Sequence, residues 1–169
     1  LEYFRQLDDQ IETASLIDLE EIRQELATRG MLRQKTGKTR KKTPNYETYT
    51  DNEGMEILVG KNNIQNDYIT NRVARPNEWW FHVKNSHGAH VIARSESELK
   101  ETQIRTAANL AALFSEARNS SSVPVDYTRV RNLKKVPGNL GSFVTYTNQK
   151  TIYIDPDPIA IETLSRKNK

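Results

Sequence analysis

Glu78-Trp79-Trp80-Phe81-His82-Val83-Lys84 is the stretch on which the reading of this chain turns. Successive side chains of a strand point to opposite faces of its sheet. Trp79, Phe81 and Val83 then share a wholly apolar face, which is assigned to the core. Trp80, His82 and Lys84 share the other. That second face offers an indole, an imidazole and an ammonium together, a set suited to stacking on bases and attracting phosphate. Equally, Trp80 can lie buried beneath a helix while His82 bonds a neighbouring backbone group. The alternation alone leaves both open.

Outward from this strand, 90–93 reads as a second strand, joined to the first by the turn Asn85-Ser86-His87-Gly88. Upstream, 46–49 and 55–59 read as a hairpin around Asp51-Asn52-Glu53-Gly54, and 64–73 as a short helix. Downstream, 98–117 is the clearest helix. Ile104, Ala107, Ala108, Ala111 and Phe114 line one face, with Ser95-x-x-Glu98 as its capping box. Segments 125–133, 142–146 and 151–154 complete the strands, the last two joined at Thr147-Asn148-Gln149-Lys150. Helices and strands mix without a βαβ rhythm. The expected fold is therefore α+β, with a mainly antiparallel sheet, one long helix and one or two short ones.

Residues 1–30 carry two apolar seams, Phe4, Leu7, Ile11 and Ala14, then Leu16, Leu19, Ile22 and Leu26, with Ser15-x-x-Asp18 between them and Gly30 at the end. This reads as the end of a coiled-coil or helical region, so the chain is expected to be a fragment of a longer protein. A basic linker follows at 31–44. The compact domain is placed at 45–161 and a tail at 162–169.

The net charge is +3, but seven basic residues and no acidic one fall within 29–42, leaving the rest of the chain at −4. A second basic run comprises Arg129, Arg131, Lys134 and Lys135. Concentrated charge of this kind suits a polyanion, since phosphate contacts release counterions, and equally suits a solvated linker. The absence of cysteine removes disulfides, thiol catalysis and thiolate metal sites, and fits a reducing cytosol. No run of 18 apolar residues exists to cross a membrane as an ordinary helix, and no signal-peptide pattern is present.

Gly60-Lys61-Asn62-Asn63 joins a strand to a helix. Asn62 can cap that helix, with Gln65 as the reciprocal partner. Lys61, beside a glycine and a first helical turn, makes a natural phosphate site. A nucleotide-binding P-loop is excluded, because five residues separate Gly54 from Gly60 and no hydroxyl residue follows the lysine. Asn66 and Asp67 in the first turn either favour the helix dipole or read a base edge or ribose hydroxyl. His82, His87 and His90 have a spacing that invites zinc, but without cysteine a hydrogen-bonded histidine pair is the preferred reading. No nucleophile–base–acid arrangement stands out, so no catalytic residue, metal or cofactor is assigned. Pro137-Gly138-Asn139-Leu140-Gly141 would let Lys134 and Lys135 approach a phosphate backbone. The candidate contacts are thus Lys61, Asn62, Asn63, Asn66, Asp67, Trp80, His82, Lys84, His90, Arg131, Lys134 and Lys135.

The block Val59-Gly60-Lys61-Asn62-Asn63-Ile64-Gln65-Asn66-Asp67, then Trp80-Phe81-His82, Asp126-Tyr127-Thr128 and Phe143-Val144-Thr145-Tyr146 with Lys150-Thr151-Ile152 resemble the NFACT-R domain. The resemblance spans roughly 45–158. It departs from the family pattern at Glu78, His87, Ala89 and Leu140, where aspartate, proline, serine and proline are usual. That domain lies toward the C-terminal end of RqcH, NEMF and fibronectin-binding protein A-like proteins. The resemblance implies a non-catalytic module contacting tRNA and large-subunit rRNA in ribosome-associated quality control, where a stalled nascent chain gains a C-terminal tail. It implies a cytoplasmic location. The family's older name implies the alternative of a surface adhesin binding fibronectin or fibrinogen at the bacterial cell surface without a classical signal. A metal-dependent nuclease is a third reading.

Overall fold

The computed structural model describes residues 43–136 and 144–168. The helical region at 1–30, the linker as far as Lys42 and the glycine-containing turn at 137–141 lie outside the described residues. A seven-stranded sheet runs in the order β8-β5-β3-β4-β2-β1-β9. Its strands are β1 (Glu47–Thr50), β2 (Glu56–Val59), β3 (Trp79–Val83), β4 (Val91–Ala93), β5 (Val123–Arg129), β8 (Lys150–Ile154) and β9 (Ser165–Asn168), and every neighbouring pair is antiparallel. The fold is α+β, as the residue pattern implied.

Alternation along each strand builds two cores. On one face Tyr49, Ile57, Val59, Trp79, Phe81, Val83, Val91, Val123 and Val125 pack against the helix α2 (Glu101–Leu113). Ala107, Ala108, Ala111 and Ala112 let that helix sit close to the sheet. On the other face Tyr46, Leu58, Trp80 and Ile92 are covered by a helix over Asn63–Tyr68, named α1, which widens into a π-helical turn at Ile69–Val73. The remaining cover is a small two-stranded sheet of β6 (Leu133–Lys135) and β7 (Val144–Tyr146), through Leu133, Val144 and Tyr146.

Three local expectations are corrected. The long helix starts at Glu101, not Glu98, with the Lys100 amide donating to Gln103 Oε1 at 2.9 Å. Residues 95–98 serve the sheet instead: Trp79 Nε1 donates to the Ser97 carbonyl, and Glu98 pairs with Arg129 at 3.1 Å. The guanidinium of Arg129 lies 4.1 Å from the centre of the Trp79 ring, so the charge shields an indole that the core does not fully enclose. Second, β7 and β8 do not form a hairpin with each other. β7 pairs with β6 above the sheet, whereas β8 pairs with β5 within it. Third, Ser165–Asn168, read as part of a tail, pairs with β1 as an edge strand.

Candidate nucleic-acid interface

The segment after β2 is wired to the sheet by its polar side chains. The Asn62 carboxamide accepts from the Gln65 amide at 2.8 Å, capping α1, and Gln65 Oε1 accepts from the Lys61 amide at 2.9 Å. Asn66 Oδ1 reaches across to the His90 amide at 3.0 Å, and the Gly60 amide donates to the His90 carbonyl at 3.0 Å. A Cβ on Gly60 would stand 2.4 Å from Asn66 Oδ1 and under 3 Å from the Asn66 backbone, so only glycine permits this approach. Asn62, Asn63 and Asn66 are buried. Direct base contact by these three buried amides is therefore corrected: Asn62 caps α1 and Asn66 ties it to the His90 amide beside β4.

Lys61 is corrected as well. Its ammonium lies 3.3 Å from Glu47 Oε1, and the two side chains are only 8% and 2% exposed. Glu47 also accepts from the Tyr49 hydroxyl at 3.0 Å and pairs with Arg166. A buried carboxylate needs such partners to remain ionised. The lysine compensates charge inside the domain and does not face a phosphate.

Trp80 falls on the face that alternation assigned, yet it is 1% exposed. Helix α1 and the β6–β7 pair close over it, because a strand face with that much apolar area needs a covering layer. A base cannot stack on it. Its ring instead organises an aromatic cluster: His82 stacks at 5.6 Å, His90 meets its edge at 5.4 Å, and Tyr146 tilts against it at 4.8 Å. His82 and His90 meet edge to face at 5.5 Å, and His90 Nδ1 lies 2.9 Å from Thr70 Oγ1. The histidines at 82 and 90 do converge, though His90 is buried. Burial lowers the His82 pKa to about 4, with the nearby Asp126 carboxylate opposing the shift. Burial, then His82, lowers that of His90 well below the ordinary range. Both rings are neutral at pH 7 and offer hydrogen bonds, not charge. Among the described residues no three His, Asp or Glu side chains are grouped to hold a metal ion.

Asp126 and Tyr146 were not singled out as site residues. The buried Asp126 sits opposite His82 and accepts from the Tyr146 hydroxyl at 2.7 Å and the Thr151 hydroxyl at 2.6 Å. Burial first, then Asp126, holds the Tyr146 hydroxyl well above its usual pKa, so it remains a donor.

The exposed candidates lie around this cluster. Lys135 reaches Asp67 at 3.1 Å beside the last turn of α1, where Asn71 also donates to Asp67. That turn touches His90 through Asn66, His90 touches His82, and Lys84 lies two residues beyond His82 on the same face of β3. Lys84 and Lys134 are exposed and have no ion pair among the described residues. Arg131 stands apart, past the opposite end of β5, bonded to Asn77 at 2.6 Å. A further exposed aromatic is Tyr153 of β8, 64% exposed. Its alternation with Ile152 and Ile154 carried the signal.

Sheet and covering helix together describe an α+β domain built round an aromatic cluster centred on the buried Trp80. Residues 45–147 match the NFACT protein RNA binding domain, and the chain belongs to that family. It is 47% identical to the Rqc2 homolog RqcH of Bacillus subtilis (strain 168) over 170 residues, covering 98% of this chain and 30% of that protein. It is 36% identical over 165 residues to the Rqc2 homolog RqcH of Streptococcus pneumoniae serotype 2, covering 97% of the chain and 30% of the relative. The chain thus spans about 30% of the length of these relatives. Among solved structures, the C-terminal part of the fibronectin/fibrinogen-binding protein from Streptococcus suis superposes with a TM-score of 0.89 at 37% identity. The match covers 97% of this chain and 66% of that one. Among the described residues no helix is long and apolar enough to cross a membrane.

Proposed function

We propose that this chain is a non-catalytic RNA-binding module of a cytoplasmic ribosome-associated quality control factor. Its partners would be tRNA and the large ribosomal subunit, and the whole factor would promote C-terminal tailing of stalled nascent chains. The observation that carries this reading is the match of residues 45–147 to an RNA-binding family, on a domain that exposes Lys84, Lys134 and Lys135. Lysines there would take phosphates, while the neutral His82 ring and the amides behind it hold the framework rigid. The name of the Streptococcus suis neighbour supports a second reading, binding of fibronectin or fibrinogen.

Titration of tRNA and of immobilised fibronectin across a salt series separates the two. RNA contact predicts affinity that falls steeply with salt. Replacing Lys134 and Lys135 together by alanine should reduce the slope of log K against log salt by about 1.4, or about 0.7 per lost phosphate contact. Glu162→Ala should leave that slope unchanged. Absent or salt-insensitive tRNA binding overturns the proposal, and tight salt-resistant fibronectin binding favours the adhesin. Stoichiometric metal in the purified protein, found by elemental analysis, would revive a nuclease.

A further inference from the structure

The sheet face under α1 and the β6–β7 pair is left open at one corner. Pairing there sets two rows across β3, β5 and β8. His82, Asp126 and Thr151 lie opposite one another in the first. In the second, the Lys84 amide donates to the Pro124 carbonyl at 2.9 Å and Pro124 faces Tyr153. The first row is closed at its centre, because Asp126 is buried with a hydroxyl donor on each oxygen. The second row is open: Lys84 is exposed and Tyr153 presents most of its ring to solvent from the edge strand β8.

We infer that the row Lys84–Pro124–Tyr153 is a subsite for one unpaired RNA nucleotide, its base stacked on Tyr153 and an adjoining phosphate at Lys84. The inference rests on the RNA-binding reading. Two strand spacings separate Lys84 from Tyr153, about 10 Å, and the flexible lysine stem shortens that gap. Charge favours this occupant. Lys84 has no acidic partner among the described residues. Of the acids on this face, Asp126 is capped by hydroxyls, and Asp155 accepts from the Ser122 amide at 2.6 Å. A single ring beside a cation gives little apolar area for a protein partner, whereas it suits one base and one phosphate. The Thr151 hydroxyl donates to Asp126, so its exposed oxygen is free to accept from a base amine or a ribose hydroxyl.

The test uses the purified chain with a fluorescent single-stranded RNA and a duplex of the same sequence. Tyr153→Ala should weaken single-strand binding about 5- to 100-fold, the usual loss for one base–aromatic stack, with duplex binding unchanged. Tyr153→Trp should retain affinity, which excludes a folding defect as the cause. Salt dependence should be unaltered in Tyr153→Ala, because stacking displaces no counterions, and should fall by about 0.7 in Lys84→Ala. If native protein binds RNA and Tyr153→Ala binds single strands equally well, the subsite is wrong and the RNA-binding reading stands. Equal losses on single strand and duplex also overturn the subsite. If native protein binds neither RNA, both proposals fall.

Discussion

Acidification from pH 7 to pH 5 should destabilise the domain through His82. In the folded state burial holds this imidazole neutral down to about pH 4, against an ordinary value of 6.5. Between those limits the unfolded chain binds a proton that the folded chain refuses. Stability is thus fully present above about 6.5 and is lost as pH falls toward 4. For a folded value near 4, the loss on moving from pH 7 to pH 5 is about 2 kcal/mol from this ring alone. His90, shifted the same way, adds to it. Urea denaturation at pH 7, 6 and 5 reads the effect directly. His82→Asn should be less stable at pH 7, because the ring leaves the face of Trp80. Its further loss by pH 5 should nevertheless be smaller than that of native protein by about 2 kcal/mol. If both proteins lose the same amount, His82 is not held neutral and the buried-cluster account is wrong.

Two further substitutions distinguish framework residues from contacts. Lys61→Ala removes one cation from the buried Glu47 and should destabilise by about 3 kcal/mol in denaturant titration, with RNA affinity of the folded protein retained. Lost affinity at unchanged stability would instead make Lys61 a phosphate ligand. Trp80→Ala should cost about 3–5 kcal/mol by the same assay, since it empties the centre of the second core. A loss below about 1 kcal/mol would contradict its burial.

Fold class and family were legible because both rest on local signals. Alternation divided Trp79 from Trp80 correctly between the two faces, and the strand–glycine–helix passage at 59–67 has the expected form. What covers the second face was not legible, since the cover comes from segments distant in sequence. Tyr146 lies 66 positions beyond Trp80, and no period in either strand encodes their 4.8 Å contact. Similarly, the partner of Lys61 is set by the β1–β2 register, which places Glu47 beside Val59. Asn62 and Asn66 posed a different difficulty. A carboxamide that caps a helix and one that reads a base are chemically the same group, and only the folded contacts show that Asn62 is spent on Gln65 and Asn66 on the His90 amide beside Gly60.

These failures share one physical cause, which also says where contact with RNA is to be sought. The polar groups of the block are spent largely inside the domain: Asn62 Oδ1 caps α1, Gln65 Oε1 and Asn66 Oδ1 accept from backbone amides, and Lys61 pairs with Glu47, so these groups have little left to offer a ligand. On the proposed RNA-binding reading, recognition would fall to residues flanking the block that the packing does not consume. Lys84 follows the Trp79–Val83 strand, Lys134 stands on the pair that seals Trp80, and Tyr153 lies on the strand whose Thr151 caps Asp126. A signature of this kind therefore identifies the scaffold more reliably than the contact surface, and substitutions should be aimed one or two residues outside it.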